Sequence, residues 1–385
     1  MHCNICHTSL EQSVYQSHTD KALTSLCEIT PGKTQVWSCH RCGHIMTQQL
    51  LDAKQYYAED YKILLSHDDE DQIYELHSGK IVYRTQHQLS TLLGKISLKP
   101  NARVLDYGCA KATMPKLLLG HQPDLQMHLF DVSEMYKSHW ARFLTPDQWA
   151  IDQTPIDWRG SFDLVTSYFA LEHIDDAVSS IQAVANLLKD GGTFYGIVPD
   201  TVGNVADFIV IDHVNHFTEA SLHYALTQAG LDTIEIDNTA HRGALVFVAR
   251  KQGSRTAAKQ AVADALQQAQ KLALYWSVLS QHLQREQAKW LGQPSAIYGS
   301  GFYGAYIATT LASADQLRCF LDASPYQQGK TVLGLPVLEP QQLPADVKVL
   351  YIGLNPVIAR KTVATMQWLQ QRDIKIVYLD GDQDA

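Results

Sequence analysis

The stretch Ala102–Lys116 constrains this chain more than any other, because a short apolar segment runs there into a turn of small residues. Arg103–Tyr107 has the length and apolar character of a buried parallel strand. Gly108 allows a tight turn, and the small residues after it let the backbone come close to a ligand. A helix predicted from Thr113 to Leu119 points its N-terminal amides at the same place. This pattern is typical of a doubly wound sheet that binds a nucleotide-like cofactor.

Strands and helices continue to alternate after this stretch. A second strand, Met127–Phe130, ends in Asp131, whose carboxylate can accept hydrogen bonds from both hydroxyls of a ribose. The other predicted elements are the strands Phe162–Tyr168 and Thr193–Val198, the helices Asp176–Leu188 and Thr218–Ala229, and a turn at Gly191–Gly192. The last two strands, Thr233–Ile236 and Ala244–Arg250, are joined by a short loop, so we expect an antiparallel hairpin at the end of the sheet.

A mostly parallel sheet with such a hairpin resembles the class I S-adenosylmethionine-dependent methyltransferases. Leu105–Cys109 is similar to their first motif, Asp131 to their ribose-binding acid, and Ala170–Ile174 to the Glu-His segment after their fourth strand. The resemblance implies a doubly wound, seven-stranded α/β sheet and S-adenosylmethionine as cofactor. The contacts that it implies are Asp106, Gly108, Cys109, Ala110, Asp131 and Glu172. The family usually has glycine at positions 110 and 112, where this chain has alanine; a Rossmann-like sheet with an empty cleft is the alternative.

Length and charge narrow the class of protein further. A chain of 385 residues is too long for one core and predicts two or three domains. The net charge of −9 argues against a nucleic-acid surface. Neither an apolar run long enough to cross a membrane nor a signal peptide is evident, so we expect a cytoplasmic protein without a membrane partner. The oligomeric state is left open.

Two Cys-x-x-Cys pairs near the N-terminus predict a structural zinc site. The four thiols, which can complete a tetrahedral set, are Cys3, Cys6, Cys39 and Cys42. Nearby histidines that could replace a cysteine are His2, His7, His40 and His44. We expect a hairpin or loop between the two pairs. A redox-active dithiol is the alternative.

The Tyr-rich segment between the zinc module and the sheet is harder to assign. Thr85–Ile96 is predicted to be helical, and the acidic run ending at Asp71 to be a solvated turn. Tyr61 and Tyr83 could hydrogen-bond a polar substrate above the cofactor. Aromatic residues at such spacing also pack helices together, and the sequence favours neither interpretation.

Candidate catalytic residues precede the helix at Thr218. Asp212, His213 and His216 follow the fifth strand at the carboxyl end of the sheet, where ligands bind. Histidine is the usual general base at neutral pH, and a carboxylate can orient it. We predict His213 as the base with Asp212 in support, and His216 or His173 as substitutes. The alternative is that these histidines are structural.

The order of the parts resembles the three-domain sugar C-methyltransferases, which act on nucleotide-linked keto-sugars. That family has Tyr-His-Glu-His-x-x-Tyr-Phe where this chain has Val210–Phe217. The acid–His pair is kept as Asp212–His213, whereas both tyrosines and the first histidine are missing. The resemblance implies a small-molecule nucleotide-sugar substrate. A base removes the proton beside the ketone, and the resulting carbanion takes the methyl group. A hydroxyl acceptor would give a methyl ether.

The C-terminal part begins with a second glycine-rich turn. A long helix predicted from Ser254 to about Trp290 leads to a Gly-x-Gly-x-x-Gly motif, and an acidic residue follows the next strand. These residues are Gly299, Gly301, Gly304 and Asp322. We expect a Rossmann-like domain in which they contact the phosphates of a sugar nucleotide or serve packing alone.

These predictions divide the chain into five parts. They are a zinc-binding module (1–50), a helical Tyr-rich cap (51–100), the methyltransferase domain (101–252), a connecting helix (253–292) and a Rossmann-like domain (293–385). Two other functions stay open, an RNA methyltransferase and an NAD-binding oxidoreductase or non-catalytic nucleotide binder. The acidic charge argues against the first.

Overall fold

The chain forms two compact units in a computed structural model that describes residues 1–48, 56, 71–77, 80–251, 259–311, 315–370 and 372–381. The first unit comprises Met1–Glu11, Ser38–Asp207 and Val214–Gln267. The second comprises Gln12–Trp37, Phe208–His213 and Gln268–Ala385. Tyr61, most of the acidic run and the predicted helix start at Ser254 lie outside the described residues.

Short strands form the N-terminal region. They are β1 (Tyr15–Gln16), β2 (Lys21–Leu23), β3 (Ile29–Pro31), β4 (Gln35–Ser38) and β5 (Ile45–Thr47). In the second unit β1 pairs with β4 and β2 with β3, both antiparallel, and the predicted hairpin between the cysteine pairs is confirmed. In the first unit β6 (Ile73–His77) and β7 (Lys80–Tyr83) form another hairpin, which leads into helix α1 (Arg84–Lys95).

A seven-stranded sheet forms the centre of the first unit. Its strands are β8 (Arg103–Tyr107), β9 (Gln126–Asp131), β10 (Trp149–Ile151), β11 (Phe162–Tyr168), β12 (Leu188–Pro199), β14 (Asp232–Asp237) and β15 (Ala244–Arg250), while β13 (Asn215–His216) pairs with β5. The order is β10-β9-β8-β11-β12-β15-β14, and β15 is antiparallel to both of its neighbours. The predicted doubly wound sheet and its terminal hairpin are confirmed.

Helices pack against this sheet. They are α2 (Thr113–His121), α3 (Lys137–Trp140), α4 (Ala177–Leu187) and α5 (Glu219–Gln228), with single 3₁₀ turns at Glu134–Tyr136, Pro146–Gln148, Ile156–Trp158, Leu171–His173 and Asp207–Ile209. Asp176 and Thr218 cap α4 and α5 through their side chains. The central strand β8 is apolar and buried because parallel strands covered on both faces exclude polar residues. Asp106 is the buried exception.

The predicted turn at Gly191–Gly192 lies inside β12 instead of before it. Phe162 pairs with Leu188, but Leu164 pairs with Thr193, so the residues between them bulge out of the ladder. Gly191 has a positive φ of 75°, which a bulge accommodates without breaking the strand.

The second unit contains a six-stranded sheet. Its strands are β16 (Ser295–Tyr298), β17 (Leu317–Leu321), β18 (Thr331–Val332), β19 (Leu335–Leu338), β20 (Val349–Ile352) and β21 (Lys375–Tyr378), in the order β18-β19-β17-β16-β20-β21. All pairs except β18–β19 are parallel. The helices of this unit are α7 (Phe302–Thr310), α8 (Pro356–Ala364) and α9 (Gln367–Gln370), with a 3₁₀ turn at Pro340–Gln342. Helix α6 (Lys259–Lys289) belongs to the first unit up to Gln267 and to the second from Gln268.

In both sheets the first strand is central, and the strand order reverses beside it. Such a reversal opens a crevice at the carboxyl ends of the strands, where ligands bind in open α/β sheets. Among the described helices, none combines the length and apolar character needed to cross a membrane.

Candidate functional site

The turn after β8 is held against two neighbouring strands. The backbone amides of Gly108 and Cys109 both donate to the carbonyl of Phe130, at 2.9 and 3.1 Å. A Cβ atom at Gly108 would lie 2.7 Å from that of Ala170, which follows β11. Since Gly108 also has a φ of 79°, only glycine fits this turn without strain.

The two alanines in the loop adopt the backbone conformation that glycine normally supplies. Ala110 and Ala112 have φ values of 44° and 58°, which cost roughly 1–2 kcal/mol each in a residue with a Cβ. Trp140 Nε1 donates to the carbonyl of Ala110 at 2.7 Å, and the amide of Ala112 donates to the carbonyl of Cys109 at 2.7 Å. These bonds hold the loop in the shape that the usual glycines would give.

Asp131 lies at the carboxyl end of β9 and faces this loop. Its Oδ2 accepts a hydrogen bond from the amide of Ala110 at 2.8 Å, and its Oδ1 accepts one from the amide of Ser133 at 3.0 Å. Burial raises the pKa of the carboxyl, and the two amides oppose that rise. Each oxygen keeps a further lone pair, so the carboxylate can still accept hydrogen bonds from a ribose.

Asp106 lies deeper in the same region. It is 3% exposed, and Thr166 Oγ1 donates to its Oδ1 at 2.7 Å. Burial raises the pKa of Asp106 to about 7, and the nearby charge of Asp131 adds to the rise. The charge of Asp106 therefore changes close to neutral pH.

The other predicted cofactor and substrate contacts lie around this loop. Cys109 is buried at the turn, while Glu172 and His173 lie on the 3₁₀ turn after β11, the former buried and the latter half-buried. Tyr83 borders a cavity of about 580 Å³ that Lys111 of this loop and Thr113, the first residue of α2, also line. The structure thus places Tyr83 on the same cavity as that loop.

The predicted base and its supporting acid lie in the second unit. Asp212 is fully buried, and its two oxygens accept hydrogen bonds from the amide and hydroxyl of Ser25, each at 2.6 Å. His213 is half-buried. The sequence did not indicate the Ser25 contact, because the two residues are 187 positions apart.

His216 belongs to the first unit and is fully buried there. Its Nδ1 lies 3.0 Å from Oδ2 of Asp207, and Thr201 Oγ1 donates to that same oxygen at 2.5 Å. A side chain with this burial reaches a substrate only if the surrounding packing changes. This arrangement is typical of a structural imidazole–carboxylate pair.

Asn215, between the two histidines, joins three segments of the first unit. Its amide nitrogen donates to the carbonyls of Leu171 and Ile174 at 3.0 and 2.6 Å. Its Oδ1 lies 3.1 Å from His44 Nε2 and accepts from Asn4 at 3.1 Å. Asn215 therefore ties the cysteine module to the turn that carries Glu172. Sequence reasoning missed it, since an asparagine before a helix looks like an ordinary polar residue.

The two Cys-x-x-Cys segments have the same backbone structure. In each, the amide of the first cysteine donates to the carbonyl five residues on, as from Cys3 to Thr8 and from Cys39 to His44. The residue four positions after the first cysteine donates its amide to the carbonyl of that cysteine. This residue also has a positive φ, 57° at His7 and 72° at Gly43. Each loop turns both of its thiols to one side, as a tetrahedral metal site requires.

The four cysteine sulfurs lie within 4.8 Å of one another. Sγ of Cys3 is 3.6 Å from that of Cys42, and Cys6 is 3.4 Å from Cys39, close to the roughly 3.8 Å expected for 2.3 Å bonds to a tetrahedral zinc. Hydrogen bonds from neighbouring thiols lower the pKa of Cys39 and so favour its thiolate, the form that binds a metal. The thiols fit zinc. His44 is turned to Asn215, and burial lowers its pKa to about 3.

Close packing accounts for two of the three predicted glycines in the second unit. A Cβ atom at Gly304 would lie 1.9 Å from the carbonyl oxygen of Gly299, and one at Gly299 would lie 2.5 Å from that of Gly353. A Cβ at Gly301 meets nothing within 4 Å. Gly301 is therefore the glycine of this motif that packing leaves unexplained.

Asp322 repeats the hydrogen bonds of Asp131. Its Oδ2 accepts from the amide and hydroxyl of Ser300 at 2.9 and 2.6 Å, and its Oδ1 from the amide of Ser324 at 2.9 Å. In both units the acid after the second strand thus binds the loop after the first strand and the amide two residues on. The second unit therefore repeats this local hydrogen-bond arrangement, with the Ser300 hydroxyl as an additional donor.

The central part of the chain is similar to known methyltransferases. Residues 81–236 match a family of methyltransferase domains. A ubiquinone biosynthesis O-methyltransferase of Xanthomonas campestris pv. campestris (strain B100) is 32% identical over 113 residues, 28% of this chain and 47% of the relative. The corresponding enzyme of Xanthomonas axonopodis pv. citri is 32% identical over 99 residues, 24% of this chain and 41% of the relative. The chain thus spans less than half the length of these relatives.

Solved structures overlap with part of the chain. An S-adenosylmethionine-dependent methyltransferase from Mesorhizobium loti covers 43% of this chain and 97% of its own, with 16% identity and a TM-score of 0.34. The [4+2]-cyclase SpnF covers 48% of this chain and 87% of its own, with 12% identity and a TM-score of 0.38. These overlaps are too weak to indicate a function.

Proposed function

We propose that this protein, which carries a class I, S-adenosylmethionine-dependent methyltransferase domain over residues 81–236, methylates carbon or oxygen of a small molecule. The observation that carries the proposal is the carboxylate of Asp131, fixed by the amide of Ala110 at 2.8 Å where the strand order reverses. The lone pairs left on it suit a ribose, and the turn at Gly108 lets the rest of the cofactor approach the backbone.

The cofactor supplies an electrophilic methyl group on a positively charged sulfur. The residues of the chain position it: Asp131 binds the ribose, the amides of the loop after β8 face the amino-acid end, and Asp106 places a negative charge nearby. Because methyl transfer needs the acceptor in line with the breaking bond, correct positioning supplies much of the rate.

Replacing Asp131 with asparagine tests the cofactor site. We expect the affinity for S-adenosylhomocysteine, measured by calorimetric titration, to fall about tenfold or more, because hydrogen bonds to a charged acceptor contribute roughly 1.5–3 kcal/mol. Asp124→Asn, an exposed change in the turn before β9, is the matched control and should bind like the wild type. Equal binding by all three proteins would refute the proposed role of Asp131.

The pKa of Asp106 predicts how binding depends on pH. Since burial raises this pKa to about 7, Asp106 is protonated below neutrality and charged above it. S-adenosylmethionine carries a positive sulfonium, so its affinity should rise several-fold from about pH 6 to about pH 8. S-adenosylhomocysteine lacks that charge and should respond less. The Asp106→Asn protein should lose the difference between the two ligands; if it keeps the difference, another group is responsible.

For the acceptor we propose a nucleotide-linked sugar. The support is the order of the parts, with a four-cysteine module, a methyltransferase domain and a second mostly parallel α/β sheet. In this proposal the second sheet is Rossmann-like, and Gly301 and Asp322 contact the nucleotide. With a nucleotide-linked sugar as acceptor, His213 acts as base, so His213→Gln should lower turnover of such a sugar by about 10²- to 10⁴-fold.

A second candidate acceptor is a hydroxyl group outside a nucleotide sugar. It is supported by the O-methyltransferases to which the central domain is similar. Incubating the protein with labelled methyl donor, a panel of nucleotide-sugars and a panel of phenols, followed by mass analysis, distinguishes the two. Methyl incorporation into neither panel would count against both.

We further propose that Cys3, Cys6, Cys39 and Cys42 bind a structural zinc ion. Four thiolates leave no coordination position for a substrate, so the metal would stabilise the fold and take no part in transfer.

A further inference from the structure

A histidine in the hairpin loop between β14 and β15 lies at the cofactor edge of the first unit's sheet. Ala244, which begins β15, pairs with Pro199 at the carboxyl end of β12, so His241 lies at the same edge as Gly108 and Asp131. The ring of His241 packs edge-on to Phe169, with 5.5 Å between the ring centroids. Phe169 directly precedes Ala170, the residue against which Gly108 turns.

Two aromatic residues hold the loop in place. Tyr74 and His87 stack with their ring centroids 3.8 Å apart, and each makes a T-shaped contact with the ring of His241, with centroid distances of 4.9 and 5.3 Å. His87 Nε2 donates to the carbonyl of Ala240 at 2.8 Å, and the amide of Arg242 donates to the hydroxyl of Tyr74 at 2.8 Å. The backbone on both sides of His241 is therefore fixed.

One ring nitrogen of His241 has a hydrogen-bond partner among the described residues, and the other has none. Nδ1 lies 3.2 Å from the carbonyl oxygen of Arg242, and because a carbonyl can only accept, Nδ1 carries the proton. Nε2 then holds a lone pair. It is buried in a side chain only 4% exposed, and within the described part of the chain it has no hydrogen-bond partner. An unsatisfied buried acceptor costs about 1–3 kcal/mol, so we expect a bound ligand to donate a hydrogen bond to this nitrogen.

The surroundings of His241 are positively charged. The guanidinium of Arg84 lies 3.8 Å above the ring of Phe169, and that of Arg242 lies 5.0 Å from the ring of Tyr74. Burial, Arg84, His87 and Arg242 together lower the pKa of His241 to about 4, against the opposing hydrogen bond to the carbonyl of Arg242. The imidazole is thus neutral at physiological pH. The same positive field favours a negative charge on a group bound beside it.

The backbone at Phe169 supports a binding role. Phe169 has a φ of 53°, in the left-handed region that a bulky residue rarely adopts. Such strain persists where the surrounding structure enforces it, and it is concentrated at ligand sites. Here it turns the Phe169 ring to a position between Arg84 and His241.

We infer that Nε2 of His241 receives the proton of the methyl acceptor, and that Phe169, Arg84 and Arg242 bind that acceptor as a planar, ionisable hydroxyl compound, a phenol or an enol. The inference rests on the proposed methyl transfer and takes up its second candidate acceptor, a hydroxyl group outside a nucleotide sugar; for that acceptor His241, and not His213, is the base. The O–H bond breaks and its proton moves to Nε2. A lone pair on the oxygen forms the bond to the methyl carbon. The electron pair of the C–S bond that breaks stays on sulfur. The products are a methyl ether, S-adenosylhomocysteine and an imidazolium that releases its proton to solvent.

The chromophore 4-nitrocatechol tests this site, because its ionised form absorbs at longer wavelength. We expect it to bind the wild-type protein in the presence of S-adenosylhomocysteine and to ionise at a pH below its solution pKa. His241→Gln keeps a polar side chain but removes the imidazole acceptor, and should weaken binding about tenfold or more. Arg84→Gln should return the ionisation of the bound probe toward its solution value. His121→Gln, an exposed change at the end of α2, is the matched control and should behave as the wild type.

Separate measurements distinguish the inference from the function on which it rests. Failure of S-adenosylhomocysteine to bind in calorimetry would refute the methyl-transfer proposal. Two results would refute the role of His241. One is that the protein binds S-adenosylhomocysteine but not the probe, and the other is that the probe binds and ionises equally in the wild type and in His241→Gln. Nitrogen-15 NMR of the wild type is independent of how the variant folds. Nε2 of His241 should stay unprotonated down to about pH 5.5 and its signal should shift on adding the probe; an unchanged signal contradicts the inference.

Discussion

Replacing Gly304 with alanine should unfold the sheet of the second unit or strongly destabilise it. The added Cβ would lie 1.9 Å from the carbonyl oxygen of Gly299. No side-chain rotation relieves this clash, because the backbone fixes the positions of both atoms. Gly353 closes the same contact from the other side, since its own Cβ would lie 2.5 Å from the Cα of Gly304. Overpacking a core costs about 1–3 kcal/mol, and a clash between backbones belongs at the upper end or above. Urea unfolding, with hydrogen exchange read in β16 and β20, measures the loss.

Gly301→Ala is the matched control in the same motif. Gly301 has a φ of −83°, which alanine adopts freely, and nothing lies within 4 Å of a Cβ built there. As an N-cap, alanine costs no more than about 1 kcal/mol. If Gly301 contacts a nucleotide, this variant should fold normally and bind a nucleoside diphosphate more weakly. Wild-type stability of Gly304→Ala would show that close packing does not explain the motif.

Replacing Cys39 with serine should abolish zinc binding and destabilise the first unit. The Cys39 thiol lies 3.4 Å from that of Cys6, and hydrogen bonds from Cys3 and Cys42 favour its thiolate, so its loss leaves only three sulfur ligands for the proposed zinc. Binding of structural zinc contributes about 10–16 kcal/mol in small zinc modules, so most of the fold around the four cysteines depends on it. Metal analysis should find about one zinc per chain in the wild type and almost none in the variant.

Cys27→Ser is the control for the zinc experiment. Cys27 lies outside the group of four sulfurs, and burial raises its pKa to about 11, so it stays a thiol. This variant should keep its zinc and its thermal stability, whereas a chelator should lower the melting temperature of both the wild type and Cys27→Ser. If wild-type protein purified in a buffer that contains zinc holds no metal, the proposed zinc site is wrong.

The asparagine between the two histidines explains how loss of zinc would affect the rest of the first unit. Asn215 bonds to Asn4 and His44 of the cysteine module and to the carbonyls of Leu171 and Ile174 at the turn that carries Glu172. A buried amide with all four of these contacts transmits a displacement of the module directly to that turn. A zinc ion bound as proposed would therefore support the turn that carries Glu172 through hydrogen bonds, without taking part in methyl transfer.

Much of the first unit could be predicted because its signals are local. The strand Arg103–Tyr107, the cap of α5 at Thr218 and the terminal hairpin depend on periodicity, capping and loop length within a few residues. The position of Asp131 at the end of a strand follows from the same patterns. The bulge at Gly191 was mistaken for a turn because a glycine pair has the same local chemistry in both.

The sequence by itself determined the elements, the acid beside the cofactor turn and the four cysteines, since each depends on neighbouring residues and on side-chain chemistry. The tertiary structure decided which groups meet: Ser25 with Asp212, Asn215 with the cysteine module, and His241 with Phe169. No short-range pattern encodes these contacts. They arise when strands distant in the chain become neighbours, and only packing decides which buried polar atom is satisfied and which awaits a ligand.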